Sequence, residues 1–121
     1  MSVERKATSG RLQPPESAPS SGERVEVLSE GAGWRIEQIL SGHLAAPVED
    51  LLDHVEWVTV VHGAARLDLD GDILELGSGD WVRIGPGLPH RVLSAEPGTT
   101  WLAVHVELTD PPSASEPAGP Q

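Results

Sequence analysis

The feature that most constrains the fold is a hydrophobic period of two residues in the middle of the chain. In residues 34–40, one mainly apolar set of side chains alternates with a second, more polar set: the first set is Trp34, Ile36, Gln38 and Leu40, and the second is Arg35, Glu37 and Ile39. Residues 66–69 alternate similarly. Side chains on one face of a β-strand recur at every second position, whereas a helix requires a period of 3.6. Pro86, Pro89 and Pro97 each lack a backbone donor, which excludes helix from the second half. The sequence therefore predicts a domain built from β-strands.

Glycine-containing turns separate the predicted strands. Asp70-Gly71 lies between two apolar stretches, which predicts a two-residue hairpin, and Gly77 to Gly79 predicts the next reversal. Residues 57–61 and 101–106 are apolar at nearly every position. In an antiparallel sheet such strands need cover on both faces. We expect a homodimer to supply the outer cover.

Length and composition predict one folded domain between two tails. A chain of 121 residues with 38% apolar content can bury a single modest core. Residues 1–22 and 110–121 are rich in Ser, Pro, Gly and Ala and have no apolar periodicity. We predict disordered tails over these two ranges and a folded domain over residues 23–109.

Composition also excludes several functions. The chain has no cysteine, which rules out disulfides, thiolate metal ligands and thiol nucleophiles. Its net charge of -11 makes nucleic acids and anionic membrane surfaces poor partners. The charged N-terminal residues are not followed by an apolar stretch, so neither a signal peptide nor a membrane helix is predicted. The expected location is the cytoplasm.

A glutamate and a histidine stand at defined points of the predicted strands. Glu56 precedes the apolar residues 57–61, and Gly63 follows them. Further along, a Gly-Asp turn leads through residues 81–84 and a Gly-Pro-Gly elbow to His90. A carboxylate and an imidazole thus lie on two strands of one small domain. Together they suit Fe(II), Mn(II), Ni(II) or Zn(II).

These residues resemble the two sequence motifs of the cupin superfamily. Glu56 to Gly63 is similar to the end of the first motif, and the second motif is matched by Gly79, Asp80, Gly87 and His90. From residue 26 to residue 107 the chain resembles small bacterial single-barrel cupins without assigned function. The resemblance implies an all-β fold, a single jelly-roll barrel (a double-stranded β-helix), with a small-molecule pocket in its mouth.

The resemblance also implies a metal site, although the first motif is incomplete. The His-x-His pair that precedes the glutamate in the family is missing, because residues 49–53 read Glu-Asp-Leu-Leu-Asp. Glu56 and His90 remain as candidate ligands. His54 has the strand parity of Glu56, and His105 has the parity of Trp101. The candidate metal ligands are therefore His54, Glu56, His90 and His105, with Asp50 and Asp53 as weaker alternatives near the rim. His43 and His62 are expected to be exposed.

Two classes of function stay open. The first is a small-molecule enzyme, either a metal-dependent dioxygenase or isomerase, or a metal-free enzyme that uses His90 and Glu56 as acid and base. The second is a metal-free binding module with a degenerate first motif and no catalysis. The four tryptophans are expected to fill the core, since the chain has no Phe or Tyr.

Overall fold

The computed structural model describes residues 7–107. These residues form nine β-strands and, before them, a single turn of 3-10 helix at Pro15–Ser17. No helix in this range is long and apolar enough to cross a membrane. The strands are β1 (Glu23–Gly31), β2 (Trp34–Ser41), β3 (Val48–Asp50), β4 (Val55–His62), β5 (Ala64–Leu69), β6 (Asp72–Gly77), β7 (Trp81–Ile84), β8 (His90–Ala95) and β9 (Thr99–Val106).

The strands form two antiparallel sheets that face each other. The five-stranded sheet has the order β1-β2-β9-β4-β7, and the four-stranded sheet has the order β3-β8-β5-β6. Their inner faces enclose a core of Val58, Val60, Ala65, Leu67, Leu76, Ile84, Trp101 and Ala103. The prediction of an all-β jelly-roll barrel is confirmed.

The predicted hairpin joins β5 to β6. Asp70 and Gly71 have φ values of 52° and 100°, and both lie in the left-handed region that a two-residue hairpin turn requires. The Gly71 N–H donates to Asp68 Oδ1 at 2.7 Å. The Asp70 N–H donates to the Pro89 carbonyl at 3.0 Å. This last bond ties the hairpin tip to the residue before His90, so the turn helps to fix where β8 begins.

The segment before β1 lies against β2. The Gln13 N–H donates to Gln38 Oε1, and Gln38 Nε2 donates to the Gln13 carbonyl, each at 2.9 Å. The backbones of Gly22 and His43 are also hydrogen-bonded at 2.8 Å. The structure thus gives residues 7–22 a defined path, although a disordered tail was predicted there. Composition could not reveal that one fully buried glutamine pairs with this backbone. The disorder predicted for residues 1–6 and 110–121 lies outside the described residues.

The tryptophans do not all fill the core, and that prediction was wrong for three of them. Trp101 is 3% exposed, but Trp34 is 40% and Trp81 is 59% exposed. Trp57 is half-buried and stacks on Trp81 with ring centroids 5.8 Å apart. Val60 pairs with Trp101, and the preceding residue, Thr59, pairs with Trp81. Trp81 and Trp101 therefore lie on opposite faces of the sheet. A period of two shows that faces alternate but does not show which face is the inner one.

Candidate functional site

Glu56 and His90 meet inside the barrel, although they come from different sheets. Glu56 is the second residue of β4, and His90 is the first residue of β8. His90 Nε2 lies 3.4 Å from Glu56 Oε1. Each residue is only 8% exposed. The pair therefore lies almost entirely out of solvent.

The backbone fixes the orientation of the His90 ring. His90 Nδ1 lies 3.0 Å from the Leu88 carbonyl oxygen, which can only accept, so Nδ1 carries the hydrogen. In the neutral ring, Nε2 then presents a lone pair to the Glu56 carboxylate. Two lone pairs that face each other at 3.4 Å need a cation between them, either a proton or a metal ion.

The surroundings of His90 favour its charged form. The contact with the Glu56 carboxylate raises the pKa of His90 above its ordinary value, and burial opposes this less strongly. The Leu88 carbonyl and the charge of Asp50 also raise it. At 3.4 Å the nitrogen–oxygen distance is longer than a good N–H···O bond. His90 and Glu56 therefore attract each other without forming a good hydrogen bond.

The second oxygen of Glu56 also lacks a close donor. Glu56 Oε2 lies 3.8 Å from His105 Nε2. Within residues 7–107 the Glu56 carboxylate accepts no hydrogen bond of ordinary length. Buried carboxylates are normally paired or hydrogen-bonded, because taking them out of water is costly. This carboxylate has an unmet requirement for positive charge.

His54 and His105 belong to a separate hydrogen-bonded chain. His105 Nδ1 lies 2.8 Å from His54 Nε2, and His105 Nε2 lies 3.1 Å from Glu37 Oε1. The chain continues through Glu37 Oε2 to Arg35 Nε at 2.6 Å and through His54 Nδ1 to Asp53 Oδ1 at 3.1 Å. Both histidines thus use both ring nitrogens. Either one can bind a metal only after one of these bonds is broken.

Sequence reasoning missed Glu37. It faces inward beside His105 because β2 pairs with β9, and it is 8% exposed. In an alternating strand, a charged residue is normally assigned to the outer face. No pattern in the sequence distinguishes Glu37 from a solvated glutamate. His43 and His62, by contrast, are exposed as predicted.

The predicted ligands do not form a complete metal centre as they stand. Within residues 7–107, no group of three or more His, Asp and Glu side chains is placed to hold a metal ion. Glu56 and His90 fit a divalent ion in kind, since an imidazole nitrogen and a carboxylate oxygen face each other without a hydrogen bond of good length. They are two donors only.

Two cavities adjoin the pair. The inner cavity has a volume of about 60 Å³, and the outer cavity has a volume of about 560 Å³. Only the outer one reaches the size that small-molecule sites usually have, while the inner one has room for an ion or a few waters. His90 and Asp50 line both. The inner lining is Glu23, Ile39, Val48, Asp50, Glu56, Val58, Leu67, Ile84, His90, Val92 and Trp101, without lysine or arginine.

The barrel mouth is negatively charged. Burial raises the pKa of Glu23, the bond from Ser41 opposes this, and the charges of Asp50 and Glu56 raise it further. Arg91 lines the outer cavity, but its guanidinium lies 3.0 Å from Asp68 and 3.8 Å from Glu49. That charge is already balanced by neighbouring carboxylates. An anion entering the mouth would meet uncompensated negative charge.

Comparison with known proteins gives structural relatives only. No family model and no curated protein matches the chain. A solved structure from Ralstonia eutropha, named a "putative mannose-6-phosphate isomerase", is 30% identical; the match covers 82% of this chain and all of that one, with a TM-score of 0.70. An RmlC-like cupin from Desulfovibrio desulfuricans is 16% identical, with 83% and 96% covered and a TM-score of 0.62. KdgF from Halomonas sp. is also 16% identical, with 74% and 82% covered and a TM-score of 0.62.

The relatives, the sheets and the site lead to one family. The two 16% matches show a shared fold, and the Ralstonia eutropha protein adds 30% identity over its whole length. The two facing antiparallel sheets match the cupin barrel. Glu56 and His90 lie where the two motifs bring their strands together inside it. The chain belongs to the cupin superfamily.

Proposed function

We propose that this cupin binds one divalent transition metal ion, Fe, Mn, Ni or Zn, at Glu56 and His90. We further propose that it acts on a small molecule at the barrel mouth, in a reaction of the dioxygenase or isomerase type. The observation that carries the proposal is the buried Glu56 carboxylate. It is 8% exposed and is approached by imidazole nitrogens only at 3.4 Å and 3.8 Å. A cation would remove this unfavourable state.

The residues of the chain have separate tasks in this proposal. His90 would be one ligand, held in place by the Leu88 carbonyl, and Glu56 would be the other. A bound divalent ion supplies Lewis-acid polarisation of a substrate oxygen. The apolar side chains Val58, Ile84 and Val92 line the inner cavity and limit access of water to the pair. Asp50 lines both the inner and the outer cavity beside His90, where its carboxylate adds negative charge that favours a cation.

The charge of the mouth bears on the substrate class. The name of the Ralstonia eutropha protein suggests a sugar phosphate. A sugar phosphate is too large for an inner cavity of about 60 Å³ and would have to occupy the outer one. The outer cavity is lined by Glu49, Asp50, Asp68 and Asp70, and Arg91 there is already paired. We therefore propose a neutral or cationic substrate for this chain.

A metal-free function is the second candidate. It is favoured by the raised pKa of His90, since a proton can fill the place between His90 and Glu56. It is also favoured by the lack of a third converging donor within residues 7–107. In this case the pair would act as acid and base, or the barrel would only bind a small ligand.

Metal analysis separates the two candidates. The full chain is purified without a tag from metal-supplemented cells, and its metal content is measured by plasma mass spectrometry. We expect one equivalent of metal in the wild type and a loss in Glu56→Gln and in His90→Gln. His62→Gln is the matched control, because His62 is exposed at the end of the same strand as Glu56. Metal-free wild type, or equal metal in all four proteins, would favour the metal-free candidate.

We also propose that two copies associate through the outer apolar face. The apolar side chains of this face are Ile36, Trp57, Trp81, Leu102 and Val104, which share one side of the five-stranded sheet by register with Thr59 and one charged residue, Arg83. These five side chains carry no charge, while the chain has a net charge of -11. A second copy can approach here without bringing the acidic mouths together.

Light scattering after size-exclusion chromatography tests this association. The wild type should have the mass of two chains, and Trp81→Arg should have the mass of one. Ile73→Arg is the control, because Ile73 is 49% exposed on the other sheet. A wild type with the mass of a single chain would contradict the proposal.

A further inference from the structure

The mouth holds two more carboxylates that the cupin motifs do not include. We infer that Glu23 and Asp50 act as metal ligands in place of the missing His-x-His pair, which makes the centre rich in carboxylate. This inference rests on the proposed metal site at Glu56 and His90. It concerns which other residues of the chain complete that site and which metal they favour.

Asp50 is placed beside His90 by strand pairing. It is the last residue of β3, and its cross-strand partner on β8 is His90. Side chains of directly opposite residues start about 4.5–5.5 Å apart at their Cβ atoms. Asp50 and His90 also line the same inner cavity. Because Asp50 is exposed at the rim, its carboxylate is free to rotate toward the imidazole.

Glu23 reaches the same cavity from the opposite sheet. It is the first residue of β1, and Ser41 donates to its Oε2 at 3.1 Å. The serine hydroxyl is itself fixed, because it accepts from Trp101 Nε1 at 3.0 Å. Among the described residues, Glu23 Oε1 takes part in no hydrogen bond. The Glu23 side chain is therefore positioned by one oxygen and leaves the other available.

The carboxylates influence one another across the cavity. The charges of Asp50 and Glu56 both raise the pKa of Glu23, and Asp50 also raises that of His90. No lysine or arginine lines the inner cavity to offset them. The nearly buried Glu56 carboxylate, whose contacts with His90 and His105 are 3.4 Å and 3.8 Å long, adds a geometric reason for a cation at this place. A divalent ion would offset three carboxylates at once.

The side chains have to move for this site to form. As they stand, no three donors within residues 7–107 converge on one point. The inner cavity of about 60 Å³ leaves room for an ion and for small rotations of Glu23 and Asp50. Binding would thus draw a rim carboxylate inward.

The donor set indicates the class of metal. Carboxylate and water ligands suit Mn(II), whereas imidazole-rich and thiolate-rich sites suit Zn(II) and Cu. Three carboxylates with one imidazole form a harder set than the three histidines and one glutamate of the full cupin motif. We therefore use Mn(II) as the probe.

The test is a titration of the full chain, freed of metal by a chelator, with Mn(II) alone. Binding is followed by calorimetry and by the electron paramagnetic resonance signal of free Mn(II). We expect Asp50→Asn and Glu23→Gln each to weaken Mn(II) binding by about tenfold or more. Asp53→Asn is the matched control: its side chain is fully exposed and contacts His54 rather than the mouth, so its affinity should equal that of the wild type.

Each result decides one question. If the wild type does not bind Mn(II), this inference fails; the proposed metal function fails with it only if the metal analysis of the wild type also finds no Fe, Ni or Zn. If the wild type binds and Glu56→Gln does not, but Asp50→Asn and Glu23→Gln bind as tightly as the wild type, only this inference fails. Thermal midpoints of all variants are measured in parallel, so that loss of binding is read only from folded protein. Weaker binding in the two variants with an unchanged Asp53→Asn supports the inference.

Discussion

The barrel contains two imidazole–carboxylate pairs that differ in how well they are satisfied. His105 lies 3.1 Å from Glu37, and its other nitrogen is 2.8 Å from His54. His90 lies 3.4 Å from Glu56, which has no closer donor within the described residues. All four members of the two pairs are at most 9% exposed. Burial is thus the same, and only the hydrogen bonding differs.

This difference separates a structural network from a candidate site. In the network, each buried polar atom lies within hydrogen-bond distance of a neighbour, so the side chains hold one another in place. At the mouth, the Glu56 carboxylate has only the long contacts with His90 and His105, and it adjoins a cavity. Natural proteins tolerate such an unsatisfied group mainly where a ligand, an ion or water completes it. Imidazole and carboxylate alone therefore do not identify a site, but an unsatisfied pair beside a cavity does.

The largest effect should come from removing the satisfied histidine. We expect His105→Ala to lower the free energy of unfolding by about 2–4 kcal/mol, because Glu37 and His54 would lose a buried partner. His90→Ala should cost only about 1 kcal/mol, since water from the adjoining cavity can reach Glu56. Chemical denaturation of chelator-treated protein measures both values.

An equal or a larger loss of stability in His90→Ala would contradict the comparison. If His90→Ala unfolds the protein as much as His105→Ala does, His90 has a structural role, and the pair at the mouth is a second network. The loss of metal or ligand binding in His90→Ala should instead appear in protein that is still folded.

The sequence predicted the strands and the two motif residues because their signals are local. The period of two, the Asp70-Gly71 turn and the stretch from Gly79 to His90 each lie within a few neighbouring positions. Those signals are sufficient to place β5, β6, β7 and the start of β8. The assignment to the cupin barrel required the resemblance as well. The cytoplasmic location stays a prediction.

The rest of the site could not be predicted because it depends on register between distant strands. Glu23 and Glu37 face inward only because β1, β2 and β9 pair as they do. A shift of one residue would turn both toward solvent. His54 has the parity of Glu56 but precedes β4, and it bonds to His105 instead of facing His90. Parity gives the face of a strand, and it does not give the partner.

A smaller effect is expected from exchanging the two glutamates for glutamine. Glu37→Gln should lower the free energy of unfolding by about 1–3 kcal/mol, because it weakens charge-assisted bonds to Arg35 and His105. Glu56→Gln should lie within about 1 kcal/mol of the wild type in chelator-treated protein, since a buried amide is less costly than an unsatisfied carboxylate. Equal losses would show that Glu56 is stabilised by a partner that its long contacts do not reveal.

The smallest effect concerns Asp68, a carboxylate on the outer side of the same mouth. Its donors are close: the bond from the Gly71 N–H lowers its pKa below the usual value, and Arg91 lowers it further. A lowered pKa in the folded state stabilises the protein above the unfolded value and is lost as the pH falls through the folded value. Asp68→Asn should therefore lower the thermal midpoint near neutral pH, and the difference should shrink as the pH falls below about 3.8.

Thermal midpoints across this pH range check the expectation, with Asp72→Asn in the same hairpin as the control. A difference that does not change with pH would mean that the amide disturbs the turn and that the charge of Asp68 is unimportant. If the difference in thermal midpoint vanishes in acid, Asp68 joins the comparison of the two imidazole–carboxylate pairs as a third carboxylate. A carboxylate at this mouth would then stabilise the fold where it has donors, as Asp68 does, and Glu56 would be the one that still requires a cation.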